Sequence, residues 1–451
     1  MQEFGNIARQ EYLATGIRVA LHPMADLATE PRWARISGTF GENAELAGKL
    51  TTAYINGFQN GEIGPESVSC MVKHFPGGGP QKNGLDAHFP YGKDQVYPGN
   101  NFDYHLIPFE EVFKNTDVQQ IMPYYGVPVG QTSEDVGMSF NKEIITDLLR
   151  GKYGYDGIIC TDWMIAETQK MFGFLKLMDS TSWGVEELTP LERYAKALDA
   201  GVDQFGGQYQ ETRILELVEA GKLTEARLDQ SVRRLLHMKF LLGLFDDPYV
   251  DENQVDLLCG NASFREKGKE AQRKSCVLLK NARVNDKVML PLKPGIKIYS
   301  ENLDEKLLKK YGGVPVFAPD EAEIAILRLN TPYQKIGNGF LERRFHQGDL
   351  DFKSPEKERI LEIMNAMPTI VDIYLDRPAV IPDISRKAAA LIGSFNVSDD
   401  VILDILFGNF NPMGKLPFEL PSSMEAVEAQ REDVPSDSKA PLYPYGFGLH
   451  Y

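Results

Sequence analysis

The sequence predicts an α/β fold in two parts: a parallel sheet with intervening helices, then a smaller doubly wound domain. Three observations point to it. Short apolar runs alternate with helical stretches up to about residue 245, the pattern of βαβ units. Asp246-Asp247-Pro248 then breaks the series, and an acidic, turn-rich stretch follows to about Gly260. Beyond it a second alternating series begins.

In the first series the strand runs are Ile17 to Met24, Val68 to Phe75, Gln120 to Tyr125, Gly157 to Thr161 and Val202 to Phe205. They are short and apolar, as strands buried on both faces are. Helical periodicity covers Gln2 to Thr15, Asn43 to Phe58, Lys142 to Lys152 and Leu191 to Ala200, with Leu228 to Leu242 closing the region. The second series offers strands at Ile296 to Tyr299, Val314 to Ala318, Ile324 to Leu329, Ile370 to Leu375 and Ala388 to Ile392. Asp320 to Glu323, Pro355 to Met367 and Val401 to Phe407 read as turns or helices between them, in the manner of a doubly wound domain.

A chain of 451 residues exceeds one ordinary domain. The expected division is 1–246 for the first domain, 247–262 for a linker and 263–451 for the second. Hydrophobic content of 43% and charged content of 25% are those of a globular protein. A net charge of −16 argues against nucleic acid and anionic membranes as partners and suits a neutral small molecule. No apolar run is long enough to span a bilayer. Cys70, Cys160, Cys259 and Cys276 are scattered, without zinc or disulfide spacing, and Cys70, Cys160 and Cys276 read as small buried hydrophobes. Met1 to Arg9 lacks the form of a signal peptide, so this chain alone favours the cytoplasm, although a few free cysteines do not exclude export.

The strand ends carry the chemistry. Asp162, in Asp156-Gly157-Ile158-Ile159-Cys160-Thr161-Asp162-Trp163, stands where catalytic groups gather in barrels. It reads either as a catalytic carboxylate or as the cap of a helix from Met164 to Met171. After the first strand, Asp26, Arg32, Trp33 and Arg35 form either a hydroxyl-binding loop or an ion pair of Asp26 with Arg32 or Arg35. Lys73 and His74 can donate to sugar hydroxyls or to a carbonyl. No second His stands at metal spacing, and Gly77-Gly78-Gly79 matches neither phosphate fingerprint. A tyrosine of Met122-Pro123-Tyr124-Tyr125 either bonds Asp162 or packs at the rim. The loop Gln81 to Asn101, with His88, Tyr91 and Tyr97, either lines the site mouth or is a structural excursion. Neutral donors and aromatics around one carboxylate suggest a carbohydrate site.

Pro31-Arg32-Trp33-Ala34-Arg35, Lys73-His74-Phe75, Met122-Pro123-Tyr124-Tyr125 and Thr161-Asp162-Trp163 occur in the order found in glycoside hydrolase family 3. Lys239 to Asp246, Cys276 to Asn281, Gly414-Lys415-Leu416-Pro417 and Tyr443 to Leu449 extend the resemblance over nearly the whole chain. It implies a (β/α)8-type TIM barrel, incomplete at the N-terminus, followed by a smaller α/β sandwich. It implies a retaining exo-β-glycosidase, β-glucosidase first, that removes terminal non-reducing glucosyl units from a β-linked oligosaccharide or glucoside without a metal or cofactor. β-Xylosidase or another β-glycosidase of the family is the nearest alternative, and an inactive carbohydrate-binding fragment the more distant one.

The resemblance makes Asp162 the nucleophile, with Arg35, Lys73 and His74 on the hydroxyls of the −1 sugar, Tyr125 near the nucleophile and Trp163 against the ring. The acid/base is expected on a second-domain loop, where Glu342, in Glu342-Arg343-Arg344-Phe345-His346-Gln347-Gly348-Asp349-Leu350, fits the pattern. The bland reading of Glu342 is a loop charge paired with Arg343 or Arg344. Glu356 and Glu301 fit less well, and the two carboxyl groups of a retaining site are expected about 5–5.5 Å apart. Members specific for N-acetylglucosaminides use a His on a first-domain loop and commonly lack the second domain, whose presence here argues against that type. Relatives also carry a segment ahead of the stretch matching Gln2 to Thr15, which forms the first barrel strands and supplies an Asp to the distal hydroxyls. Five strand runs against a barrel's eight predict an open sheet that another copy or a completing chain would cover.

Overall fold

The computed structural model describes residues 1–171, 175–209, 211–284 and 286–451. The chain forms two compact units: Met1–Glu30 with Gly38–Asn261 and Arg431–Val434, and Pro31–Ser37 with Ala262–Gln430 and Pro435–Tyr451.

In the first unit, α1 (Gln2–Ala14), α2 (Ala44–Gln59), α3 (Phe102–Asn115) and α4 (Pro190–Ala200) are interleaved with five strands. These are β1 (Val19–Ala20), β2 (Ser69–Phe75), β3 (Gln120–Pro123), β4 (Ile158–Trp163) and β5 (Gln204–Gly206). They lie side by side in sequence order and are all parallel, with Val19 opposite Ser69, Val72 opposite Ile121 and Ile121 opposite Ile159. Parallel strands joined by helices in this order make part of a (β/α)8 barrel, open at β1 and β5 among the described residues. α2 starts where Asn43 accepts from Leu46 N, and α4 starts at a capping box of Thr189 and Glu192 with Pro190 at its first position. α1 crosses α2 at Gly5 and Gly57, where a Cβ would stand 2.6 Å from Tyr54 O and 2.3 Å from Gln2 O. Only glycine allows the backbones to approach that closely.

The structure corrects several expectations. The first strand run stops at Ala20; pairing resumes only as a bridge between Met24 and Lys73, where Lys73 N donates to Pro23 O at 3.1 Å and Pro23 itself has no N–H to give. No helix spans Met164 to Met171. Met164 turns the chain with φ +62°, and Gln169–Met171 then pairs antiparallel with Leu175–Met178. The stretch beyond Asp247 contains a short helix, Asn253–Leu258. α3 was hidden in the sequence by Pro108 in its interior.

In the second unit, β6 (Val277–Asn281), β7 (Lys297–Glu301), β8 (Val314–Val316), β9 (Ile324–Asn330), β10 (Thr369–Tyr374) and β11 (Ala390–Ser394) form one sheet in the order β6-β11-β10-β9-β7-β8. Every pair is parallel except β6 with β11. Its core joins Leu278, Ile298, Ile326, Ile370 and Ile392 from the strands to Val401, Ile402 and Ile405 of the helix Asp399–Leu406. Cys70, Cys160 and Cys276 are buried in the two cores, and burial pushes the Cys160 and Cys276 thiols up to about 12. Among the described residues no helix is long and apolar enough to cross a membrane.

Candidate active site

β2 and β4 each lose register near their C-terminal ends. The ladder of β2 with β3 slips between Lys73 and Phe75, and that of β4 with β5 slips between Cys160 and Trp163. His74 and Asp162 sit in these irregularities. An extra residue in a ladder re-aims a side chain, a device common beside active sites. Here it brings His74 Nε2 to 3.6 Å from Asp162 Oδ2, an ion-pair distance rather than a hydrogen bond.

Behind His74 lies Asp26, which is fully buried. Its Oδ2 is 2.8 Å from His74 Nδ1 and accepts from His74 N at 3.2 Å, while Oδ1 accepts from Gly78 N. Both imidazole nitrogens therefore face carboxylates, Nδ1 within hydrogen-bond distance of Asp26 and Nε2 beyond it from Asp162. A buried carboxylate with several donors is a strong anchor, because charge-assisted bonds in a low dielectric are strong and costly to break. Asp26 is thus fastened to His74.

Asp162 is 7% exposed, and its Oδ1 accepts from Trp163 N at 2.8 Å. No helix follows for it to cap. The Trp163 ring lies on Gly206-Gly207, where a Cβ would come within 2.6 Å and 2.4 Å of ring carbons. Gly206 N donates to Thr161 Oγ1 at 2.9 Å, so the glycine pair fixes both neighbours of Asp162. Met164, just beyond, holds a left-handed φ of +62°, a conformation that costs a non-glycine residue roughly 1–3 kcal/mol and clusters at functional sites. An open groove of about 720 Å³ runs along the sheet, lined among others by Val19, Met71, Cys160, Trp163 and Phe205.

Lys73 precedes His74 on β2, and its charge helps hold His22 neutral. Burial first, then Lys73, lowers the His22 pKa to about 4. His22 in turn sits between Tyr54 OH at 2.7 Å and Tyr12 OH at 3.1 Å. The Tyr124 ring packs 4.8 Å from His74, and its hydroxyl donates to Asp86 Oδ2 at 3.4 Å. Asp86 Oδ1 is 2.5 Å from His88 Nδ1, and the edge of His88 meets Tyr125 at 4.7 Å. The loop after β2 thus closes over the site side of β3. This Asp86–His88 pair was missed in the sequence, although Asp and His two residues apart in a loop were its visible signal.

Lys73, His74, Tyr125, Asp162 and Trp163 belong to the first unit; Arg35 and Glu342 belong to the second. Glu342 opens a short 3₁₀ turn, Glu342–Arg344, in the loop after β9. Its carboxylate accepts from Gly339 N, and Arg344 lies 4.4 Å over the Phe340 ring. Of the weaker candidates, Glu301 is bound to Arg359 at 2.7 Å and Glu356 begins a helix, Glu356–Ala366.

The sequence pattern of the glycosyl hydrolase family 3 N terminal domain matches residues 1–238, and that of the family's C-terminal domain matches 315–451. Over its whole length the chain is 50% identical to Beta-glucosidase C of Emericella nidulans, covering 72% of that protein. It is 42% identical, again over its whole length, to a periplasmic beta-glucosidase/beta-xylosidase of Dickeya chrysanthemi, covering 70% of it. Among solved structures it resembles a beta-glucosidase from Listeria innocua in complex with isofagomine, with a TM-score of 0.81 at 21% identity. All of this chain and 69% of that one are superposed, a likeness that supports the fold. From its motifs, its parallel strands and these relatives, the chain belongs to glycosyl hydrolase family 3.

Proposed function

We propose that the protein is a retaining exo-β-glycosidase, a β-glucosidase in the first place, with Asp162 as nucleophile. The observation that carries the reading is the buried Asp26–His74 pair presenting an imidazole nitrogen to a carboxylate at a strand end. The Trp163 amide on Oδ1 leaves Oδ2 as the attacking atom. Asp162 Oδ2 bonds to the anomeric carbon as the glycosidic C–O bond breaks, and the leaving oxygen takes the proton of the Glu342 carboxyl. Water then gives a proton to the Glu342 carboxylate while its oxygen displaces Asp162 from the anomeric carbon. Arg35, Lys73 and His74 donate to sugar hydroxyls, Tyr125 stands by the nucleophile, and the Trp163 ring covers an apolar sugar face.

A panel of chromogenic β-glycosides with wild type and Asp162→Ala tests this. Turnover that survives the substitution refutes the nucleophile assignment. Wild type that binds without turnover favours the carbohydrate-binding fragment. A preference for xylosides has its main support in the dual name of the 42% identical relative. We further propose that a second copy or a completing chain covers the open sheet, since an uncovered edge invites aggregation. Slow amide exchange of Ile17 to Met24 in a protein of monomeric mass would refute that part.

A further inference from the structure

We propose that Arg377 is the positioning residue of the loop that carries Glu342. Arg377 lies three residues beyond the end of β10 and is fully buried. Its Nη1 donates to Arg32 O at 3.1 Å and to Gly348 O at 2.9 Å, and its Nη2 donates to Pro332 O. Pro332 and Gly348 are the two ends of the Glu342 loop, and Arg32 lies in the Pro31–Ser37 stretch that carries Arg35. One guanidinium therefore gathers the roots of both second-unit segments assigned above to the sugar.

Neighbouring contacts close the same neck. Thr331 Oγ1 donates to Arg377 O at 3.1 Å, and Gln334 N donates to Gln347 O at 2.7 Å. Asp376 is 2.5 Å from His346 Nδ1, and the His346 ring stacks on Tyr333 at 3.9 Å and 11°. Beyond this neck the apex is held by short-range contacts such as Gly339 N to Glu342. The base of the loop therefore carries a dense set of fixed contacts on both sides of Glu342.

The chemistry of the fastener supports a geometric role. Burying a charged guanidinium is an inefficient way to gain stability, since its desolvation must first be offset. What arginine adds is a planar fork of donors that reaches several acceptors in fixed directions. Lysine presents its protons from a single nitrogen and cannot span Arg32, Pro332 and Gly348 together.

The inference rests on Glu342 being the acid/base, and the test separates the two. Arg377→Lys, the milder Thr331→Val and Glu342→Gln are compared on an alkyl β-glucoside, which needs a proton on its leaving oxygen, and on 2,4-dinitrophenyl β-glucoside, which does not. Misplacing a reacting group by an ångström costs on the order of 10²-fold. We therefore expect kcat/KM of Arg377→Lys to fall about 10²-fold on the alkyl glucoside and several-fold at most on the activated one. Thr331→Val should shift the same ratio by less, and the Gln334 amide should exchange faster in both variants. Equal losses on both substrates, or unchanged exchange at Gln334, overturn the positioning role even if Arg377→Lys folds poorly, because Thr331→Val then decides. Absence of the leaving-group effect in Glu342→Gln sinks the acid/base reading instead, and unaltered Gln334 exchange remains the separate sign that the clamp itself is wrong.

Discussion

Asp162 and Glu342 are both carboxylates, and they are held in opposite ways. Asp162 grows from a strand whose backbone is paired on both sides, and its neighbours are fixed by a glycine pair and by the Asp26–His74 anchor. Glu342 stands on a loop whose nearest support is an amide three residues back. A strand end sets direction locally, so few contacts are needed. A loop has to be fixed from its base, and the fastener lies far away in sequence, at Arg377. The two proposed catalytic groups should therefore fail differently: one through loss of its own atoms, the other also through loss of residues that never touch the sugar.

The largest effect is expected at Asp162. Asp162→Ala removes the atom that forms the covalent bond, and kcat should fall at least about 10⁴-fold with little change in melting temperature. A fall below tenfold would mean the strand end is not the reacting one. Next comes Glu342→Gln, with a loss of roughly 10²–10⁴-fold on substrates with poor leaving groups. Measuring rate against leaving-group pKa checks it; a flat response would place the acid elsewhere.

Asp26→Asn should cost about 10²-fold in kcat, because an amide in place of the carboxylate no longer fixes the orientation of His74. The readout is kcat against KM together with the pH–rate profile; a variant within threefold of wild type would show that Asp26 merely fills space. The least effect on turnover is expected at His105, which is buried in the first unit with its Nε2 3.2 Å from Asp433 O. Burial lowers its pKa to about 4, against about 6.5 in the unfolded chain. Above pH 6.5 it is neutral in both states and its contribution is fully present. Below that the unfolded chain takes the proton first, so stability of the order of 3 kcal/mol is lost as pH falls from about 6.5 to about 4. His22 acts in the same direction. Melting temperature in that window should fall less for His105→Gln than for wild type, and an unchanged slope would contradict the assignment.

Both sheets were legible because their strands are short apolar runs, and the register faults that aim His74 and Asp162 were not, because a one-residue slip leaves no mark in composition. The helix expected after Asp162 failed where Met164 takes a left-handed turn, a conformation no propensity favours for methionine. Asp26 was visible as a charge near two arginines, and its contact with His74, 48 residues on, exists only because the fold brings them together. Arg377 left still less trace. Its meaning lies in three carbonyl oxygens from Arg32, Pro332 and Gly348, and backbone acceptors look the same at every position.

The most direct measurement traps the intermediate. Incubation with a 2-deoxy-2-fluoro-β-glucosyl fluoride, proteolysis and mass spectrometry should find one glycosyl group on the peptide that contains Asp162, and none in Asp162→Ala. A glycosyl group on any other carboxylate, or hydrolysis with inversion at the anomeric carbon, would contradict the account.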